Sequence, residues 1–260
     1  MAQKTTRLHA RIPKGSESKR SPNGKHSVAN EILRDLPADE RRLLFSKLEQ
    51  ITIKLHDVLH EPGEPIKFCY FPTNGIVSIL SVLSNGKSVE VGLIGREGFV
   101  GLPLAVGFRS SPTRAICQGP GTAFRVTAAT LKEVLHDCPR LEKALNRYSL
   151  TVGMQASQVA ACNRLHEVDE RLARWLLMCH DRLGLDSVPM TQEFLSQMLG
   201  IRRASVTVAA GILQKAGLIR SARGEVTILN RKGLEKLACE CYGTINHQME
   251  SWRKDVRLRS

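Results

Sequence analysis

The chain has 260 residues, 42% of them apolar, which is long enough for two domains with cores of their own. It contains no apolar run that would span a membrane, and the N-terminus lacks the apolar centre of a signal peptide, so the sequence reads as a cytoplasmic protein with no membrane partner. The net charge of +13 points to a polyanionic partner without specifying one, because seven Lys and Arg within residues 1–27, against Glu17, hold nearly half of the excess.

Residues 1–27 are rich in Lys, Arg, Ser, Gly and Pro and poor in large apolar side chains, so they are expected to be a disordered basic tail. The tail reads either as an arm that adds affinity for DNA phosphates or as a solubilising extension or misplaced translation start. Asn30 to Leu48 reads as helical, with Ile32, Leu33 and Leu36 before Pro37, and Leu43, Leu44 and Leu48 after Asp39-Glu40. From Ile51 the period changes to short runs of Val, Ile, Leu and Phe between turn signals, the pattern of a small antiparallel β-sandwich. Asn85-Gly86 between two such runs predicts a hairpin, since both residues tolerate positive φ. Gly92, Gly95, Gly98 and Gly101 recur every three residues and are expected to turn corners between sheets; no strand–loop–helix unit surrounds them to make a dinucleotide site.

Thr130 to Cys138 reads as a short helix, and Pro139 opens one predicted to run to about Leu183. Leu141, Leu145, Tyr148, Val152, Val159 and Cys162 form a stripe at three- and four-residue steps, which resembles a seam between two copies of the helix. Leu145, Tyr148, Val152, Val159 and Cys162 are therefore the candidate dimer interface; the alternative is a helix that covers its own sheet. A second stripe begins at Leu165, with Val168, Leu172 and Leu176. Gly153 weakens the helix interior by about 1 kcal/mol relative to Ala and is read as a point of close approach, either between two helices or between sheet and helix.

Thr191 to Ile219 reads as two helices around a tight corner. Thr191 caps the first, Gly200 ends it, and Val206, Ala209, Ala210, Leu213 and Leu218 face inward from the second. This is the layout of a helix-turn-helix, whose second helix enters the DNA major groove. Two short strands about Arg223-Gly224 then predict a β-hairpin wing. The candidate DNA contacts are Thr191, Gln192, Arg202, Arg203, Ser205, Thr207 and Arg223. A last helix is expected over 231–238, and 244–260 reads as a polar, basic tail without assigned structure.

Other chemistries are less well supported. His56 and His60 lie in a segment that reads as extended, and His166 with Glu170 makes only half of a site, so no catalytic or metal centre is expected. The seven cysteines lack a Cys-x-x-Cys pair; Cys239-x-Cys241 is a metal or redox cue to be set against ordinary reduced thiols. No cofactor is assigned. The alternative within the same fold is a redox- or haem-responsive sensor using Cys117 or Cys162.

The order helix, sandwich, long helix, winged helix-turn-helix resembles the Crp–Fnr family of regulators over about residues 28–240. The resemblance is carried by Tyr70 to Ser78, the hairpin Ser84-Asn85-Gly86-Lys87, Arg171 to Leu177, and Thr191 through Arg203. It implies an α+β fold: a cyclic-nucleotide-binding-like jelly roll at 28–138, a dimerisation helix at 139–183 and a winged helix-turn-helix at 184–243. It also implies a homodimeric regulator of transcription that binds double-stranded DNA and touches RNA polymerase. In the family the equivalent of Arg203 contacts a base. The next position is often Glu but here is Ala204, which departs from the usual half-site. Arg202 stands where a small capping residue is common, which suits it to a phosphate. The effector pocket would fall at Gly101, Leu102, Thr113 and Arg114. The family's cyclic-nucleotide motifs read here as Gly101-Leu102 and Pro112-Thr113, so cyclic AMP is not the expected effector. No cysteine precedes Cys69, so the N-terminal iron–sulfur centre of the oxygen-sensing branch is not expected either.

Overall fold

The structure, a computed structural model, describes residues 29–222 and 224–257; the basic segment 1–27 and Arg223 lie outside the described residues. Its architecture is the α+β one expected: an antiparallel sandwich, long helices, and a C-terminal helix-turn-helix with a small sheet. The first helical stretch is two pieces, α1 (Glu31–Arg34) and α2 (Ala38–Phe45). Pro37 separates them, because it cannot extend α1 and is preorganised for the start of α2. Seven strands follow: β1 (Glu49–Ile53), β2 (Val58–His60), β3 (Phe68–Pro72), β4 (Ile76–Val82), β5 (Ser88–Ile94), β6 (Thr113–Gly119) and β7 (Gly121–Thr127). They form two antiparallel sheets, in the orders β1-β7-β3 and β2-β6-β4-β5. Phe71, Val77, Ile94, Phe99 and Val126 are among the side chains buried between them.

The β4–β5 hairpin is closed by the Leu83 N–H on the Lys87 carbonyl (2.8 Å), with Gly86 N–H on Leu83 O (2.9 Å). Of the two turn residues singled out in the sequence, Gly86 takes the positive φ (79°) and Asn85 does not. The loop is thus a turn followed by a left-handed glycine, not a two-residue turn with positive φ at both positions.

α3 (Ala128–Asp137) leads into α4 (Pro139–Leu165). No side chain of the preceding residue caps α4. Instead Glu40 on α2 accepts from the Arg140 and Leu141 N–H groups (3.1 and 2.9 Å), a buried carboxylate at the positive end of the helix.

The structure corrects two expectations about this helix. First, it does not run to Leu183. It stops at His166, which is extended, and α5 (Val168–Leu183) starts afresh with a capping box between Glu167 and Glu170. The change of apolar stripe near Leu165 marks this break. Second, the stripe proposed as a dimer seam is buried within a single chain. Leu145 and Cys162 are 0% exposed, and Tyr148, Val152 and Val159 no more than 9%. Leu145, Tyr148 and Val152 join the sandwich core, Val159 a second core built on α5 and the C-terminal helices, and Cys162 a thiol cluster with Cys239 and Cys241.

The glycine series explains how α4 gets so close. A Cβ on Gly92 would come within 3.2 Å of Val152 Cγ1, and one on Gly98 would overlap the Tyr148 ring. These two glycines make room for helix side chains. Only Gly101 of the series needs left-handed backbone (φ 102°), at the start of a 3₁₀ turn over Leu102–Val106.

α5 is amphipathic and buries Leu172, Trp175, Leu176 and Cys179 against both the sandwich and the C-terminal half. Polar groups fix its docking. Trp175 Nε1 donates to Glu90 Oε1 (2.9 Å), Ser78 Oγ donates to Glu90 Oε2 (2.6 Å), and Arg182 pairs with Glu97 (2.8 Å) with both side chains nearly solvent-free. The rest of the chain forms β8 (Ser187–Pro189), α6 (Gln192–Leu199), α7 (Arg203–Lys215), β9 (Ile219–Ala222), β10 (Glu225–Ile228), α8 (Arg231–Leu237) and α9 (Cys241–Arg257). The polar tail from 244, to which the sequence assigned no structure, is thus helical as far as Arg257. Its anchor is the sparse stripe Cys241, Ile245 and Met249 at four-residue steps, packed on α4 and α5. No helix among the described residues is long and apolar enough to cross a membrane.

Candidate nucleic-acid interface

Local chemistry fixes the two-helix unit. Thr191 Oγ1 accepts from the Phe194 N–H (3.1 Å) and so caps α6; Glu193 lies in its first turn, and Gly200 closes it in left-handed conformation (φ 63°). Arg202, extended at φ −71° and ψ 143°, is the residue before α7 and gives it no side-chain cap. Val206, Ala209, Ala210 and Leu213 turn inward and join Leu195, Met198 and Leu199 in one core.

The opposite side of α7 is open. Arg202, Arg203, Ala204, Thr207 and Val208 are exposed and Ser205 half-buried. Thr207 Oγ1 donates to Gln192 Oε1 (2.8 Å), so the starts of the two helices are linked at the surface. The structure brings Thr191, Gln192, Arg202, Arg203, Ser205 and Thr207 onto this one region; Arg223 is outside the described residues. The wing is a three-stranded sheet in the order β8-β10-β9, one strand more than the sequence suggested, because Ser187–Pro189 adds to the hairpin edge.

Sequence reasoning missed two features. Val208 is 64% exposed beside Thr207, an apolar side chain on the open face of α7. Its signal was its four-residue offset from Ala204. Arg171, on α5 and 5% exposed, donates from Nη2 to the Leu199 carbonyl (2.5 Å) and so holds the last turn of α6. The unit also touches the sandwich: the His56 and Phe194 rings lie 5.7 Å apart, and Gly200 faces Val89.

The four residues assigned to an effector pocket are engaged in the fold. Gly101 and Leu102 start the 3₁₀ turn. Thr113 Oγ1 and Ser111 Oγ lie 2.7 Å apart, and Arg114 Nε pairs with Glu61 Oε2 at 2.7 Å, both about one third exposed. A cleft of about 550 Å³ opens at the other end of that turn, between Leu104–Gly107 and Lys132, His136, Glu142 and Asn146. It is distinct from the pocket expected at Arg114.

Comparisons with known proteins agree with this geometry. Residues 50–138 match the cyclic nucleotide-binding domain and residues 170–237 the Crp-like helix-turn-helix domain, together more than half of the chain. The transcriptional regulator SdrP of Thermus thermophilus is 28% identical over 200 residues, covering 73% of this chain and 94% of its own. The global nitrogen regulator of Synechococcus elongatus is 23% identical over 185 residues, 67% of this chain and 83% of its own. FixK2 from Bradyrhizobium japonicum shares the fold at TM-score 0.63 and 18% identity, over 74% of this chain and 98% of its own. A CRP/FNR-family regulator from Thermus thermophilus shares it at TM-score 0.55 and 22% identity, over 73% and 98%. With both domain types present, in this order and joined by long helices, the chain belongs to the Crp–Fnr family of transcriptional regulators, DNA-binding proteins rather than enzymes.

Proposed function

We propose that this chain is a homodimeric, sequence-specific regulator that enters the major groove with the start of α7. The observation that carries the reading is the open row Arg202, Arg203, Ala204, Thr207 and Val208 on a helix whose other side is core. Arg203 suits guanine O6 and N7, and Val208 a thymine methyl. Arg202, Thr191, Gln192, Ser205 and Thr207 suit phosphates and sugar at the groove edge. Residues 28–138 act as sensor, 139–183 as connector and 184–243 as reader. Such a chain works in the cytoplasm, on chromosomal DNA, beside RNA polymerase.

For the dimer we assign the outward face of α4. Arg147, Leu150, Met154, Ser157 and Ala161 recur there at alternating three- and four-residue steps. Leu150 is 65% and Met154 38% exposed, and a Cβ on Gly153 would meet nothing within 4 Å. This face takes the place of the stripe used inside the chain, and it fits the two-fold symmetry of paired half-sites.

Cyclic AMP is not the effector in this reading. Arg114 is occupied by Glu61, and a cyclic phosphate would have to displace that carboxylate while Leu102 and Pro112 offer it nothing. The redox alternative gains nothing from Cys117, whose thiol burial pushes up to about 12 and so keeps protonated. Footprinting of genomic DNA with purified protein, paired with light scattering, tests the proposal. Two half-sites about one helical turn apart and a dimeric mass are expected. Uniform binding without a motif would reject the reading.

A further inference from the structure

The break between α4 and α5 brings four ligand-type side chains together. Cys162 and His166 stand four residues apart at the end of α4, and Cys239 and Cys241 flank Glu240 where α8 gives way to α9, Cys241 being the first residue of α9. Their ligand atoms all lie within 4.8 Å of one another. Cys162 Sγ and Cys239 Sγ are 3.4 Å apart, and Cys241 Sγ and His166 Nδ1 3.6 Å. From this geometry we infer a tetrahedral Cys₃His site for a zinc-class divalent cation, joining the long helix to the C-terminal cap of the DNA-reading half.

The distances favour one metal over the alternatives. With Zn–S near 2.3 Å and Zn–N near 2.0–2.1 Å, a tetrahedron has S···S edges of about 3.8 Å and S···N edges of about 3.6 Å. A disulfide needs about 2.05 Å, well short of the separation seen here. In an iron–sulfur cluster the four ligands are divided among at least two irons, so ligands on different irons stand farther apart than the 4.8 Å within which all four atoms lie here.

The surroundings suit the same centre. His166 Nε2 lies 3.0 Å from Glu240 Oε2, which orients Nδ1 toward the thiols; this is the carboxylate–histidine–metal arrangement. Gln158 Nε2 donates to Cys241 Sγ at 3.0 Å. Arg171 and Arg174 are 5% and 3% exposed, form no salt bridge among the described residues, and each leaves a buried Nε without a partner. Their charges act on Cys162 and Cys239. Three thiolates with one divalent ion carry a net −1, so the loaded site supplies an anion to two buried guanidiniums; neutral thiols would leave them without it. Binding forms three S–metal bonds and one N–metal bond and releases the thiol protons to solvent.

The full-length protein, purified under reducing conditions, should contain one zinc per chain by elemental analysis. Replacement by Co²⁺ should give the visible bands of a tetrahedral thiolate complex. Cys239→Ser and Cys241→Ser should lose the stoichiometric metal, and Glu240→Gln should keep it with affinity lowered about 10–100-fold. Should the serine variants fail to fold, the metal content and Co²⁺ spectrum of the unmutated chain decide. Less than one metal per chain after zinc or Co²⁺ reconstitution, a Cys162–Cys239 disulfide in the isolated protein, or an iron–sulfur chromophore would each overturn the assignment.

Discussion

Glu90 should couple the joint between the two halves to pH. It is fully buried between sandwich and α5, where burial raises its pKa to about 7 against the opposing pull of the Ser78 and Trp175 hydrogen bonds. A carboxyl pKa raised on folding adds stability below its unfolded value, and this is lost as pH climbs through the folded one. Relative to a free Glu carboxyl near pKa 4.3, the loss between about pH 4 and pH 8 approaches about 3 kcal/mol. Glu90→Gln keeps the volume and an acceptor for the Trp175 indole while holding the site neutral. Urea unfolding of both proteins from pH 5 to pH 8, followed by circular dichroism, should give similar stabilities at pH 5. At pH 8 the variant should be the more stable by roughly 2–3 kcal/mol. Parallel pH profiles would show that Glu90 does not ionise in this range and refute the reasoning.

Other outcomes follow from α4. Met154→Glu should give a monomer in light scattering and weaken cognate binding, since a lone half-site loses the effective-concentration gain; an intact dimer would remove the outward face from the account. Val152→Asp should instead unfold the sandwich more easily, by several kcal/mol in denaturant melts, because it buries a carboxylate against Gly92. Gly98→Ala should cost about 1–3 kcal/mol through its clash with Tyr148, and Tyr148→Leu in the same chain should recover part of it.

The strand and helix-turn-helix signals were legible because each rests on neighbours in sequence: a capping Thr191, a left-handed Gly200, Gly86 in a hairpin. The stripe on α4 was legible as a stripe, but not its partner. A helix at coiled-coil spacing and one lying on its own sheet bury the same residues, and only the notches at Gly92 and Gly98 distinguish them. α9 escaped notice because Cys241, Ile245 and Met249 are diluted among polar residues. The four-ligand cluster escaped because Cys162 and Cys239 are 77 positions apart in sequence, a pairing only the fold reveals.

The most direct test of the central claim compares Arg203→Ala and Arg202→Ala with the unmutated protein on genomic DNA, at several salt concentrations. Arg203→Ala should lose about 1–3 kcal/mol on the cognate site and relax the motif at one base position. Arg202→Ala should weaken all sequences alike and lower the salt dependence by about one phosphate contact. Neutral behaviour of both substitutions on cognate DNA would contradict the assignment of α7 as the reading helix.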